Sequence, residues 1–88
     1  MDFEWDETKA AANYVKHKVD FKNASRVFVD PYRLEIDDDS DYGEPRLNVI
    51  GMVDGQMLHV TYTTTDDGCR IISARRAEPH EKRQYHEV

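Results

Sequence analysis

The sequence predicts an α+β fold: a short N-terminal strand, two helices, an antiparallel β-sheet meander and a short C-terminal helix. Three observations carry that prediction. Asp54-Gly55 separates two alternating runs, Arg46 to Val53 and Gln56 to Thr63, which is the pattern of a two-residue hairpin turn. Upstream, Asp6 and Asp20 each stand directly before a stretch of helical character, as N-cap residues do. Downstream, the β-branched stretch from Cys69 to Arg75 runs through Pro79 into a charged segment, His80 to Glu87, suited to a helix opened by proline. Eighty-eight residues, 39% hydrophobic and 34% charged, suit one small domain spanning residues 1–88 with a thin core.

In chain order, Phe3-Glu4-Trp5 alternates apolar and polar residues as a short edge strand does. Lys9 to His17 contains good helix formers and neither Gly nor Pro. Ala11, Tyr14 and Val15 share one face at i, i+3, i+4 spacing, so that face is expected to pack inward. Lys16 and His17 fall in the last turn, where positive charge offsets the helix dipole. In the second helix Phe21, Ala24 and Phe28 form the apolar stripe, Val19 is placed to staple onto Ala24, and Asp30-Pro31 ends the helix. Tyr32 to Ile36 reads as an edge strand, and Asp37 to Gly43 as a solvated acidic loop without the spacing of a calcium loop.

With Asp54-Gly55 as the turn, Val53 pairs with Gln56, Gly51 with Leu58, Val49 with Val60 and Leu47 with Tyr62 on a core face. The opposite face, expected to be largely polar, pairs Met52 with Met57, Ile50 with His59, Asn48 with Thr61 and Arg46 with Thr63. A slip of one residue would set apolar against polar faces, which supports this register. Asp66-Asp67-Gly68 then turns the chain into the last strand, and the length of that turn decides which residues join His59. An even turn places Arg70, Ile72, Ala74 and Arg76 there; an odd one places Cys69, Ile71, Ser73 and Arg75. Arginine joins this face either way.

The net charge of −6 is local. Asp30 to Glu44 holds seven acids and one base, Arg33, so this segment accounts for the whole charge and leaves the remainder neutral. From Arg70 to Arg83 five Lys or Arg stand against Glu78 and Glu81. An RNA substrate is therefore compatible with the composition. No apolar run approaches the ~20 residues of a membrane span, so no membrane association is expected. The acidic start, Met1 to Asp6, does not resemble a signal peptide. A single cysteine, Cys69, points to a reducing, cytoplasmic location. His17, His80 and His86 lack metal-ligand spacing, so neither a metal nor a cofactor is expected.

Several residues in order also resemble the BrnT-type toxins. These are Phe3 to Asp6 with Lys9, Asn13, Lys16-His17 and Val19-Asp20-Phe21, then Val27-Phe28 with Asp30-Pro31. Ile50-Gly51, Val60 with Tyr62-Thr63, and Arg70 to Arg75 with Glu81 and Tyr85 complete the set. Lys18 departs from the pattern, standing where that family usually has glycine. The resemblance implies a RelE-like fold and an endoribonuclease toxin of a type II toxin–antitoxin pair. It further implies inhibition by a BrnA-like, DNA-binding antitoxin, through which the complex contacts operator DNA and represses its own operon. An alternative within the family is a catalytically degenerate toxin that survives as an antitoxin-binding corepressor.

Metal-free RNA cleavage needs a base for the 2′-hydroxyl, cations for the phosphorane-like transition state and an acid for the leaving oxygen. Arg70, Arg75, Glu81 and Tyr85 are the candidate catalytic residues, because they match the family motif and supply these groups. Arg46, His59, Arg76, Lys16 and His17 are the candidate RNA-binding residues. Arginine suits phosphate because its planar fork can engage two oxygens at once. Each has a plainer reading as a surface charge, a helix cap or, for Tyr85, a packing residue.

Overall fold

The computed structural model describes residues 2–37 and 45–87. Five strands form one mixed sheet: β1 (Asp2–Glu4), β2 (Leu34–Asp37), β3 (Leu47–Val53), β4 (Gln56–Thr64) and β5 (Gly68–Arg76), in the order β1-β5-β4-β3-β2. Neighbouring strands pair antiparallel except β1, which runs parallel to β5 at the sheet edge. Helices α1 (Glu7–His17) and α2 (Phe21–Ala24) precede the meander, and α3 (Pro79–His86) follows it. Most of the expected acidic loop, Asp37 to Gly43, lies outside the described residues.

The hairpin has the expected register at every pair from Leu47↔Tyr62 to Val53↔Gln56. Asp54 and Gly55 both take positive φ, 51° and 81°, which is the type I′ geometry that matches strand twist. Val49, Val53, Leu58, Val60 and Tyr62 are buried on the core face, under Phe21, Ala24 and Val27. Gly51 is required there by close approach: a Cβ would stand 3.1 Å from both the Cβ and the carbonyl oxygen of Val27.

Both N-caps are present, Asp6 accepting from the Lys9 N–H and Asp20 from the Lys22 N–H. The second helix tightens after Ala24 into a 3₁₀ segment, Ser25–Val29. Its three-residue period turns Val27, a residue outside the expected stripe, fully inward. Lys18 closes α1 in the left-handed region at φ 60°, its N–H donating to the Tyr14 carbonyl.

One helix face differs from expectation. Tyr14 and Val15 are 53% and 72% exposed and Ala11 is also exposed, while Ala10, Asn13 and His17 turn toward the sheet. The cause is polar. Asn13 donates to the carbonyls of Ala74 and Val19 and accepts the Ala74 N–H, completing backbone bonds on β5 past the end of β1. A buried amide with three hydrogen bonds decides the face against the apolar spacing.

Candidate active site

The face of the sheet opposite α1 and α2 is not uniformly open. Ile50, Met57 and Ala77 form a second small core there, packed against Leu34, Ile36 and Tyr85, and α3 covers that end. This corrects the expectation of a largely polar second face, whose polar part begins beyond that cluster.

Last-strand parity is resolved by a bulge. His59 pairs with Arg75 and Thr61 with Ser73, but Tyr62 pairs with Ile71 and Thr63 with Arg70. Ile72 is the extra residue, and the ladder changes phase across it. Arg70 and Arg75 therefore share the face of His59, although their odd sequence separation would split them in a regular strand. Arg76 pairs with Leu58 and belongs to the other face. Lys16 and His17 also lie across the sheet, at the end of a helix that packs on β5 from the core side. The structure thus sets Arg70, Arg75, His59 and Glu81 on one face and separates Arg76, Lys16 and His17 from them; Arg46 directly precedes β3 and is partly buried.

The centre of the group is Glu81. Pro79 and a capping box start α3, in which the Glu81 carboxylate accepts the Glu78 N–H at 2.8 Å. The same carboxylate sits in the guanidinium fork of Arg75, with Nη1 to Oε1 at 2.8 Å and Nη2 to Oε2 at 3.0 Å. His59 Nε2 lies 3.5 Å from Oε2. Side-chain exposure is 7% for Glu81, 14% for His59 and 30% for Arg75, so the trio is shielded on one side and reached through the arginine. Burial alone would raise the Glu81 carboxyl, but the bonds from Arg75 and Glu78 and the nearby His59 hold it below the usual carboxylate range. His59 is shifted down from its ordinary value, chiefly by burial; Glu81 opposes that shift and Arg75 adds to it. A neutral imidazole beside a carboxylate and a guanidinium can take or return a proton at neutral pH. Arg70 stands further along the face, half-exposed, with Glu4 at 3.8 Å. It lies four ladder steps from the His59 row, about 13 Å.

Tyr85 is one turn beyond Glu81 and takes a structural post. Its hydroxyl donates to Asp30 Oδ2 at 2.6 Å, a bond that chiefly accounts for its rise to about 12. Asp30 also accepts the N–H groups of Met52 and Tyr32 and is buried. Burial pushes its carboxyl up, yet these bonds bring it below its ordinary value. The Met52 N–H lies past the end of β2 pairing, which stops at Leu34↔Ile50, so Asp30 stands in for the missing strand. From the sequence Asp30 stands out as the residue before a helix-stopping proline, one acid of the acidic segment and part of the family resemblance, not as a hydrogen-bond acceptor. Nothing local signals its distant partners, Met52 and Tyr85, which lie 22 and 55 residues away.

Among the described residues no group of three or more His, Cys, Asp or Glu side chains could hold a metal ion. No described helix is long and apolar enough to cross a membrane. Compared with known proteins, residues 5–81 match the family model described as ribonuclease toxin, BrnT, of type II toxin–antitoxin system. No curated protein matches the chain.

Proposed function

The chain belongs to the BrnT family of ribonuclease toxins of type II toxin–antitoxin systems, and from that premise we propose that it is an endoribonuclease that cleaves mRNA without a metal ion at the Arg75–Glu81–His59 cluster. Neutral His59 takes the proton from a 2′-hydroxyl. The 2′-oxygen attacks the adjacent phosphorus, the bond to the 5′-oxygen breaks, and the products are a 2′,3′-cyclic phosphate and a 5′-hydroxyl end. Protonated His59 can return its proton to the leaving oxygen. Arg75, held in place by the two oxygens of Glu81, keeps other N–H groups for the charge that builds on the phosphorane, and Arg70 and Arg46 hold flanking phosphates. Tyr85 fixes α3, and with it Glu81, through Asp30. Lys16, His17 and Arg76 lie across the sheet, and this reading gives them no contact with the RNA.

The observation that carries this reading is the convergence of Arg75, Glu81 and His59 on the face that also presents Arg70. Family membership supports an antitoxin partner; neutralisation by a DNA-binding antitoxin and repression of the shared operon complete the proposal. The test is induction of the protein alone with mapping of transcript ends. Growth arrest with new 5′-hydroxyl ends, both abolished in Arg75→Ala, is the expected result. Normal growth and intact RNA at high expression, together with tight antitoxin binding, would instead identify a corepressor without catalysis.

A further inference from the structure

We propose that the cleft at the β2 end of α3 is a nucleobase pocket, which takes a base of the RNA and biases which nucleotide lies near the scissile phosphate. It rests on the ribonuclease reading above. The cleft, about 440 Å³, lies between Pro31, Tyr32 and Arg33, ahead of β2, and Tyr85 and His86 at the end of α3. Unstacked RNA bases are held on aromatic rings and guanidinium planes, with hydrogen bonds to their edges. This cleft offers two phenol rings, one guanidinium and one imidazole.

Most of these groups are in place before a ligand arrives. The Tyr85 ring is fixed by its hydroxyl bond to Asp30 and by edge-on contact with His86, at 5.3 Å and 88°. Arg33 donates to the Asp30 carbonyl at 3.3 Å and stands 3.9 Å from Glu35. Tyr32, by contrast, is 77% exposed, a ring that does nothing for the core and is free to close over a base. Preorganised walls lower the ordering cost of binding.

Position ties the cleft to the cluster. Tyr85 follows Glu81 by one turn on the same helix face, about 6 Å along the axis. Beneath α3, the row Arg75, His59, Ile50, Leu34 crosses four adjacent strands. The cleft side of that row is three strand spacings from Arg75, roughly 14 Å. A strand with a phosphate at Arg75 can therefore place a nearby base in the cleft.

The test is titration of the isotope-labelled full chain with non-cleavable 2′-O-methyl oligoribonucleotides of each base, followed by NMR. Saturable shifts at Tyr32, Arg33 and His86 are expected, with affinities that differ among bases. Tyr32→Ala should weaken binding about tenfold, in the range seen when one stacking ring is removed, while Tyr32→Phe should retain it. In transcript-end mapping, Tyr32→Ala should flatten base preference at the cut. Shifts confined to the Arg70–Arg75 face, or unchanged affinity in Tyr32→Ala, overturn the pocket. So does protection of Tyr32 by an antitoxin without any nucleotide-induced shift, which makes the cleft a protein interface. RNA cleavage without cleft shifts removes the pocket and leaves the ribonuclease reading. Cleft shifts without cleavage in any assay do the reverse.

Discussion

Replacing Glu81 with Gln tests whether one carboxylate organises the cluster. The amide oxygen can still accept the Glu78 N–H, so the start of α3 survives, but Arg75 loses one oxygen and the opposing charge. Exposed ion pairs contribute about 0–1 kcal/mol, whereas breaking a fully buried pair costs about 3–5 kcal/mol. Here the Glu81 side chain is 7% exposed but that of Arg75 is 30%, so the released guanidinium can turn toward water. The cost should fall between those limits, at about 2 kcal/mol. In a chain of this size that lowers Tm by roughly 8–16 °C. The pH dependence supplies a second check. The folded carboxyl is held below its ordinary 4.5, so its stabilisation is complete above that pH and is lost as pH falls through the folded value. Wild type and Glu81→Gln should differ most near neutrality and converge in acid. His59, no longer facing a carboxylate, should titrate still further below 6.5 by NMR. A Tm within 2 °C of wild type at pH 7 (less than about 0.5 kcal/mol), or a His59 titration that does not move, would refute the coupling.

Four further outcomes follow from the same geometry. Lys18→Gly should stabilise the protein by about 1 kcal/mol in thermal unfolding, because the left-handed φ of 60° carries a Cβ penalty that glycine lacks. Gly51→Ala should destabilise by about 1–3 kcal/mol in urea, since the new methyl meets Val27 backbone as well as side chain. Tyr85→Phe removes the 2.6 Å bond to a buried carboxylate, so a loss of about 1.5–3 kcal/mol is expected, with Asp30 titrating higher by NMR. RNA cleavage should fall on acidification with a midpoint below 6.5, where His59 protonates, and His59→Gln should lose that limb of the pH profile.

The hairpin was legible because Asp54-Gly55 fixes both turn and register, and alternation then assigns each partner from Leu47 to Val53. The caps at Asp6 and Asp20 were legible for a similar reason, since a cap acts within three residues. The inward face of α1 was not. Periodicity weighs apolar side chains, and it gave Tyr14 and Val15 precedence over Asn13, whose value lies in bonds to Ala74, 61 residues away. The second core around Ile50 and Met57 was hidden because its cover, α3, starts more than twenty residues after either of them. Of the candidate site, the motif offered Arg75 and Glu81 as separate candidates, while their contact and the place of His59 beside them required the sheet and α3.

The bulge at Ile72 explains why motif and alternation gave different answers for the last strand. Strict alternation forces a choice between Arg70 and Arg75, five residues apart, and either choice leaves one arginine facing α1 and α2. An extra residue between them absorbs the odd step, so Cys69 and Ile71 remain in the core on one side of it, Ala74 remains there on the other, and both arginines face out. Before the bulge, Cys69 at 2% exposure and a thiol raised to about 11 by burial is a packing residue with no reactive character. After it, Ala74 meets Asn13 while Arg75 meets Glu81 on the opposite face. One strand thereby supplies both the core and the charged face, and the bulge keeps either demand from displacing the other.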